Sequence, residues 1–180
     1  MKIDKEKFYR VLAPRPVVLI TTADKEGRTN AAPFSFVMPV SSNPPLVAFA
    51  SAPQRHTLAN IRETKEFVLN MPSEHILDKL WICADSFPKG VSEIKQASLT
   101  EMKSATVAVP GIEESIGWIE CVLEFEKEAG DHVIVVGKVV NAEIKDIFWR
   151  DGEFDIPKAK PILHVTGKDF VVAERVVNIK

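Results

Sequence analysis

The chain has 180 residues, of which 23 are lysine or arginine and 25 aspartate or glutamate, for a net charge of −2, and 46% of it is hydrophobic. This length suits one domain over residues 1–180 with enough chain to bury a core, and the composition excludes a disordered protein. Basic and acidic residues are mixed along the chain, so there is no concentrated basic face for a nucleic acid; nor is there a run of about 18 apolar residues to span a membrane as a helix.

The opening stretch MKIDKEKFYRVLAPRP has no apolar signal-peptide core, which makes the cytoplasm the expected compartment. RPVVLITTADKEGRTNAAPFSFV then reads as strand, polar turn at Gly27 and strand, an early β-hairpin. The segment from Asn30 to Pro45, NAAPFSFVMPVSSNPP, mixes strand formers with prolines and serines. Proline cannot donate to a ladder and is confined to edges, ends and bulges, so this is a strand running into an irregular loop. PPLVAFASA gives the next strand.

A helix is expected from Thr57 as N-cap, with Leu58 and Ile61 on its apolar stripe, before EFVLNM returns to strand. A second helix follows Ser73 as cap, with Ile76, Leu77, Leu80, Trp81 and Ala84 on one face. Asp85 to about Ala105 is an excursion with at most one short helix. In WIECVLEFEKE, Ile119, Cys121, Leu123 and Phe125 alternate with Glu120, Glu124 and Glu126, which predicts a buried face and a wet acidic one. A Gly-first two-residue turn at Gly130–Asp131 leads into the long strand HVIVVGKVVNAEI. WRDGEFD is a further turn, and PILHVTGKDFVVAERVVNI holds two short final strands. Many strands at short spacing with hairpin connections and few helices predict a mainly β protein, an antiparallel barrel with peripheral helices.

Three places could carry chemistry. A helix starting near Thr57 offers free backbone N–H groups and its positive dipole end, beside the Arg55 charge, the Thr57 hydroxyl and the Asn60 amide, a competent phosphate cradle. The same residues also describe an ordinary capped helix. Asn30, Ser35, Ser41 and Ser42 among Phe34, Phe36 and prolines form the mixture of apolar wall and placed polar groups that suits a flat aromatic ligand, or simply a stiff barrel rim. His132 follows a tight turn at the start of a buried strand and faces solvent or a cleft. No metal site is expected, because His56, His75, His132 and His164 are far apart and Cys83 and Cys121 have no ligand spacing. The usual nucleotide and hydrolase motifs GxGxxG, P-loop, HExxH and GxSxG are absent.

Taken in order, RPVVLITTADKEGRTNAAPFSFVMPVSSNPPLVAFA, RHTLANIRETKEFVLNM and GDHVIVVGKVV resemble the flavin reductase-like family of FMN-binding split barrels, over about Arg15 to about Phe170. The resemblance implies a homodimer of six-stranded Greek-key split barrels, each holding one FMN, with FAD or riboflavin as lesser alternatives. It places Asn30, Ala31, Ser35 and Phe36 along the flavin, and Ser41, Ser42, Arg55, Thr57 and Asn60 around the ribityl chain and phosphate. It puts His132 on the nicotinamide side as the catalytic residue, His164 and Phe170 beside the cofactor, and Lys89 on a segment that closes over the site. His56 stands where the family usually has an acidic residue, which makes this phosphate network more basic. NADH or NADPH would be the donor, and free flavin, a ferric complex or a protein the acceptor. The alternatives are a flavoredoxin-like carrier reduced by another protein, a related pyridoxamine-phosphate-type oxidase, and a non-enzymatic ligand-binding barrel.

Overall fold

A computed structural model describes residues 1–179. Its main sheet contains β1 (Val18–Ala23), β2 (Thr29–Phe34), β3 (Val37–Ser42), β4 (Pro45–Ser51), β5 (Glu66–Asn70), β6 (Gly117–Ala129) and β7 (His132–Ile144). The order across the sheet is β2-β1-β5-β6-β7-β4-β3, with every neighbouring pair antiparallel. β4 lies beside β7, and β5 beside β1, so the path is a Greek key and not a meander. The expected mainly β split barrel is what the chain forms; the ladder counts seven strands because Val37–Ser42 pairs as a strand of its own.

The two edge strands, β2 and β3, are consecutive in the chain and joined only by Ser35 and Phe36. A sheet whose first and last strands meet at a two-residue link must curl into a barrel, and that link is where its ladder is split. The prolines of this stretch follow from the position. Pro33 and Pro39 sit on edge strands, the second at a register shift between Pro39 and Ser41; Pro44 is in a turn and Pro45 opens β4.

β1 is buried on both faces. Val18 and Ile20 point into the barrel with Phe34, Phe49, Leu58, Ile61, Phe67, Cys121 and Val135, where Phe34, Phe49 and Phe67 pack edge to face at 5.0 and 5.6 Å. Leu19 points the other way, into a layer with Ile76, Leu80, Cys83, Ile94 and Ile112. This second core lies under α2 (Leu77–Ile82) and the single turn α3 (Glu93–Gln96); α1 (His56–Thr64) packs on the barrel. β8 (Ile162–Thr166) and β9 (Asp169–Val172) form a separate small sheet with Arg15–Pro16.

Several expectations are corrected. Thr57 is not the N-cap of α1: Arg55 is, and Thr57 lies buried in the first turn. Ser73 precedes a short 3-10 turn (Glu74–Ile76), and its side chain makes no capping bond there. Glu120 is not on a wet face. It is buried, and its carboxylate accepts from the backbone N–H groups of Ala105, Thr106 and Val107 at 2.7–3.0 Å and from Asn141 Nδ2 at 3.0 Å. Phe125, by contrast, is 52% exposed, because β5 flanks β6 only as far as Val122 and the hairpin runs on beyond it.

Candidate functional site

The split opens onto a cleft made of two adjoining cavities of about 250 and 320 Å³, which share Ala32, Arg55 and Cys83. Pro33, Ser35, Phe36, Ala50 and His132 wall one end, and Gln54, His56, Thr57, Ser86 and Glu93 the other. One half therefore carries the proline and aromatic wall with His132; the other carries the helix-start donors with Arg55 and His56, faced by the carboxylates of Asp85 and Glu93.

The polar end is built on α1. The first bond of the helix runs from Ala59 N–H to Arg55 O, which leaves the N–H groups of His56, Thr57 and Leu58 outside the helical ladder. No side chain caps them and the first turn has no acid, while Arg55 and His56 add basic groups at the same end. An uncapped helix start with a guanidinium beside it is suited to an anion. Beneath it, Thr57 and Thr22 hydroxyls donate to Asn30 Oδ1 at 3.1 and 3.3 Å, and Asn60 Nδ2 donates to Thr22 Oγ1 at 3.1 Å. Among the described residues no acceptor takes the second polar atom of Asn30, its Nδ2, although the residue is buried at the cleft wall. Asn60 itself is fixed behind the network and so positions Thr22 and Asn30.

At the apolar end Phe36 bridges two groups. Its ring centroid is 5.7 Å from that of His132 and 6.1 Å from that of Tyr9. His132 Nδ1 lies 2.7 Å from Asp131 Oδ1, which leaves Nε2 free, and the imidazole beside Asp131 holds that carboxyl below its usual range. The thiol of Cys83 is buried between the two halves, and burial pushes its pKa up to about 12, with the Glu93 charge adding to the rise. It is therefore an inert wall and not a nucleophile.

A second slot of about 310 Å³ lies across the Pro33–Ser35 segment, lined by Val17, Leu80, Trp81, His164 and Phe170. His164 Nε2 is 3.2 Å from Gly167 O, so it carries the proton, and Nδ1 accepts from Ser35 Oγ at 3.1 Å. The C-terminal pair His164 and Phe170, whose rings are 5.2 Å apart, thus reaches the cleft through Ser35.

The structure brings together Asn30, Ser35, Phe36, Arg55, Thr57 and His132 at one cleft, with Asn60 behind it and His164 and Phe170 adjoining. Lys89 is exposed at the polar end, sharing a small depression with Asn30 and His56. Ala31 is displaced by one residue from the expectation: its side chain is in the second core, its N–H is taken by Glu93 Oε2 at 3.3 Å, and Ala32 lines the cleft. Ser41 and Ser42 pair with Leu46 and Pro45, at the opposite end of β4 from Ser51 and Arg55, roughly 20 Å of strand away. They do not line this cleft. Trp81 was read only as part of an apolar helix face, and Glu93 and Arg15 were not singled out by the sequence; a glutamate in a short helix and an arginine between prolines give no sign of burial there.

Residues 9–158 match the flavin reductase like domain family. A protein from Methanothermobacter thermautotrophicus is 42% identical over 167 residues, covering 89% of this chain and 79% of that one. A flavin reductase from Pseudomonas putida is 31% identical, covering 83% of this chain and 89% of its own. Among solved structures, nitrilotriacetate monooxygenase component B from Bacillus cereus is similar with a TM-score of 0.88 and 29% identity, over 99% of this chain and 95% of that one. With a split barrel, a cleft at its split and a match across most of its length, this chain belongs to the flavin reductase-like family.

Proposed function

We propose that the protein is an FMN-dependent reductase that takes hydride from NADH or NADPH and passes electrons to free flavin, a ferric complex or a protein acceptor. The observation that carries this reading is the two-part cleft, with an uncapped helix start and Arg55 at one end and the Pro33–Phe36 wall with His132 at the other. The residues fit the group. The N–H groups of His56, Thr57 and Leu58 with Arg55 would hold the phosphate, and the free Asn30 Nδ2 would donate to the ribityl chain. Ala32, Pro33, Ser35 and Phe36 would line the ring system, and Lys89 is poised at the rim.

When bound, FMN supplies the hydride and electron chemistry. The protein orients and shields. The proline-stiffened wall forms the site before ligand arrives, which avoids the ordering cost of a mobile loop. Asp131 holds the His132 ring through Nδ1 and leaves Nε2 facing out, so His132 would bind and position a nicotinamide donor.

A homodimer belongs to the same proposal. Phe8, Val11, Leu12, Phe36, Met38 and Val40 are exposed along the N-terminal segment and the edge strand β3, an apolar band that a second copy would cover. The buried free cysteines accord with a reducing, cytoplasmic setting.

The test is an anaerobic visible spectrum of protein passed through gel filtration after FMN addition, then titrated with NADH and NADPH. Retained flavin absorbance that bleaches with a nicotinamide is the expected result. Retained flavin that does not bleach would make the protein a carrier reduced by another protein, and a colourless eluate would remove the flavin reading. Light scattering on the same eluate measures whether the protein is a dimer.

A further inference from the structure

Arg15 is buried, with 9% of its surface exposed, and all of its partners are neutral. Its guanidinium donates to Tyr9 O at 2.6 Å and Val165 O at 3.3 Å, and to His164 Nδ1 at 3.4 Å, and it lies over the rings of Tyr9 and Phe36 at 5.8 and 5.7 Å. Nε has no partner. Among the described residues no carboxylate pairs with it. Burying a charge without a counter-charge is costly, and a fold that needed only to tie Tyr9 to Val165 could do so with a neutral donor. The position of this charge supplies a reason. Phe36 and Ser35 separate it from the cleft, Phe36 lying between Arg15 and His132 and Ser35 joined to Arg15 through His164 Nδ1.

We propose that Arg15 is an electrostatic positioning residue for the cleft, its uncompensated buried charge favouring a reduced, more negative flavin over the oxidised one. The proposal rests on the flavin reading above. Two-electron reduction by the nicotinamide puts negative charge on the ring system, and a fixed cation one side chain away in a medium of low polarisability stabilises that charge without reorganising. The shared acceptor Nδ1 adds a geometric effect: with a guanidinium N–H aimed at it, Nδ1 stays unprotonated, so Arg15 holds His164 as the Nε2–H tautomer that donates to Gly167 O and fixes the ring against Ser35.

The experiment compares the dissociation constants of oxidised FMN and of FMN reduced anaerobically with dithionite, for wild type, Arg15→Lys and Arg15→Gln. Arg15→Gln is expected to lose about tenfold more affinity for reduced than for oxidised FMN, with a matching fall in flavin potential. Arg15→Lys, which keeps the charge but not the fork, should keep most of the ratio. An unchanged ratio in Arg15→Gln would overturn the proposal, whether or not stability falls; so would an unchanged ratio accompanied by loss of a dimer, which would make Arg15 a subunit contact. Should Arg15→Gln fail to fold, Leu12→Glu sets a counter-charge in the same pocket and is compared with Leu12→Gln, which disturbs the proposed subunit contact without adding a charge; Leu12→Glu is expected to give the lower ratio, and equal ratios would also overturn the proposal. Failure of the flavin reading is distinct, because wild type would then retain FMN in neither state.

Discussion

The two sides of the barrel treat buried charge in opposite ways. On the closed side Glu120 sits at the root of the β6–β7 hairpin with four donors around its carboxylate. On the split side Glu93 and Arg15 are just as buried, yet Glu93 accepts one backbone N–H at 3.3 Å and Arg15 meets only neutral groups. A satisfied buried charge fastens one piece of chain to another; an under-satisfied one keeps capacity for a ligand. The closed side therefore holds the fold, and the split side gives up some stability for a site.

The largest expected effect tests the closed side. Glu120→Gln turns an acceptor into a donor facing backbone N–H groups and should destabilise the protein by about 3 kcal/mol, read from urea unfolding. The same group carries a pH dependence. Burial alone would raise its pKa, but the bonds from Asn141 and from the Ala105, Thr106 and Val107 N–H groups outweigh it and hold the folded value below the usual 4.5. A folded pKa below the unfolded one means stability that is complete above the unfolded value and is lost as pH falls through the folded one. Wild type should lose that part of its stability below about pH 4.5, and Glu120→Gln should show a shallower acid limb. A mutant as stable as wild type would end the comparison.

Gly137 is next. A Cβ there would collide with the Phe67 ring and press on Cys121, in the middle of the barrel core, so Gly137→Ala should cost about 2 kcal/mol through overpacking. It lies on β7, at a register shift that lets the strand bend around Phe67, and its effect on FMN binding should be no larger than its effect on stability.

The split side is expected to behave the other way round. Arg55→Ala removes the cation at an uncapped helix start whose side chain makes no capping bond, so stability should change by less than about 0.5 kcal/mol while FMN affinity falls about tenfold. Riboflavin, which has no phosphate, provides the control: its affinity should not change. Equal losses for FMN and riboflavin would mean that Arg55 does not face the phosphate.

How far the sequence could be read follows the same division. The strands, the Gly-first turn with Gly130 at φ +65°, the early hairpin and the final pair were legible because their signals are local: alternation, turn residues and breakers within a few positions. The helix-start end of the cleft was legible for the same reason. What failed depended on distant partners. The glutamates of β6 share one alternating phase, but only Glu120 meets the loop at Ala105–Val107, and nothing within the strand announces that loop. Ala31 and Ala32 were exchanged because β2 is covered on both faces, so a period of two cannot say which face is the site. Arg15 and Glu93 are buried by segments far away in the chain, β8 in one case and the edge of β2 in the other.

Phe125 offers the smallest effect and the finest test. Its alternation with Glu124 and Glu126 assigns it to the core, whereas the structure leaves it 52% exposed beyond the reach of β5. In a monomer, Phe125→Ser should change stability by less than about 0.5 kcal/mol, since a side chain already in water has little burial to lose. A cost that grows with protein concentration would instead mean that a second copy covers it. The hairpin tip would then belong to the dimer interface, and the apolar phase of β6 would be explained by a partner and not by the barrel.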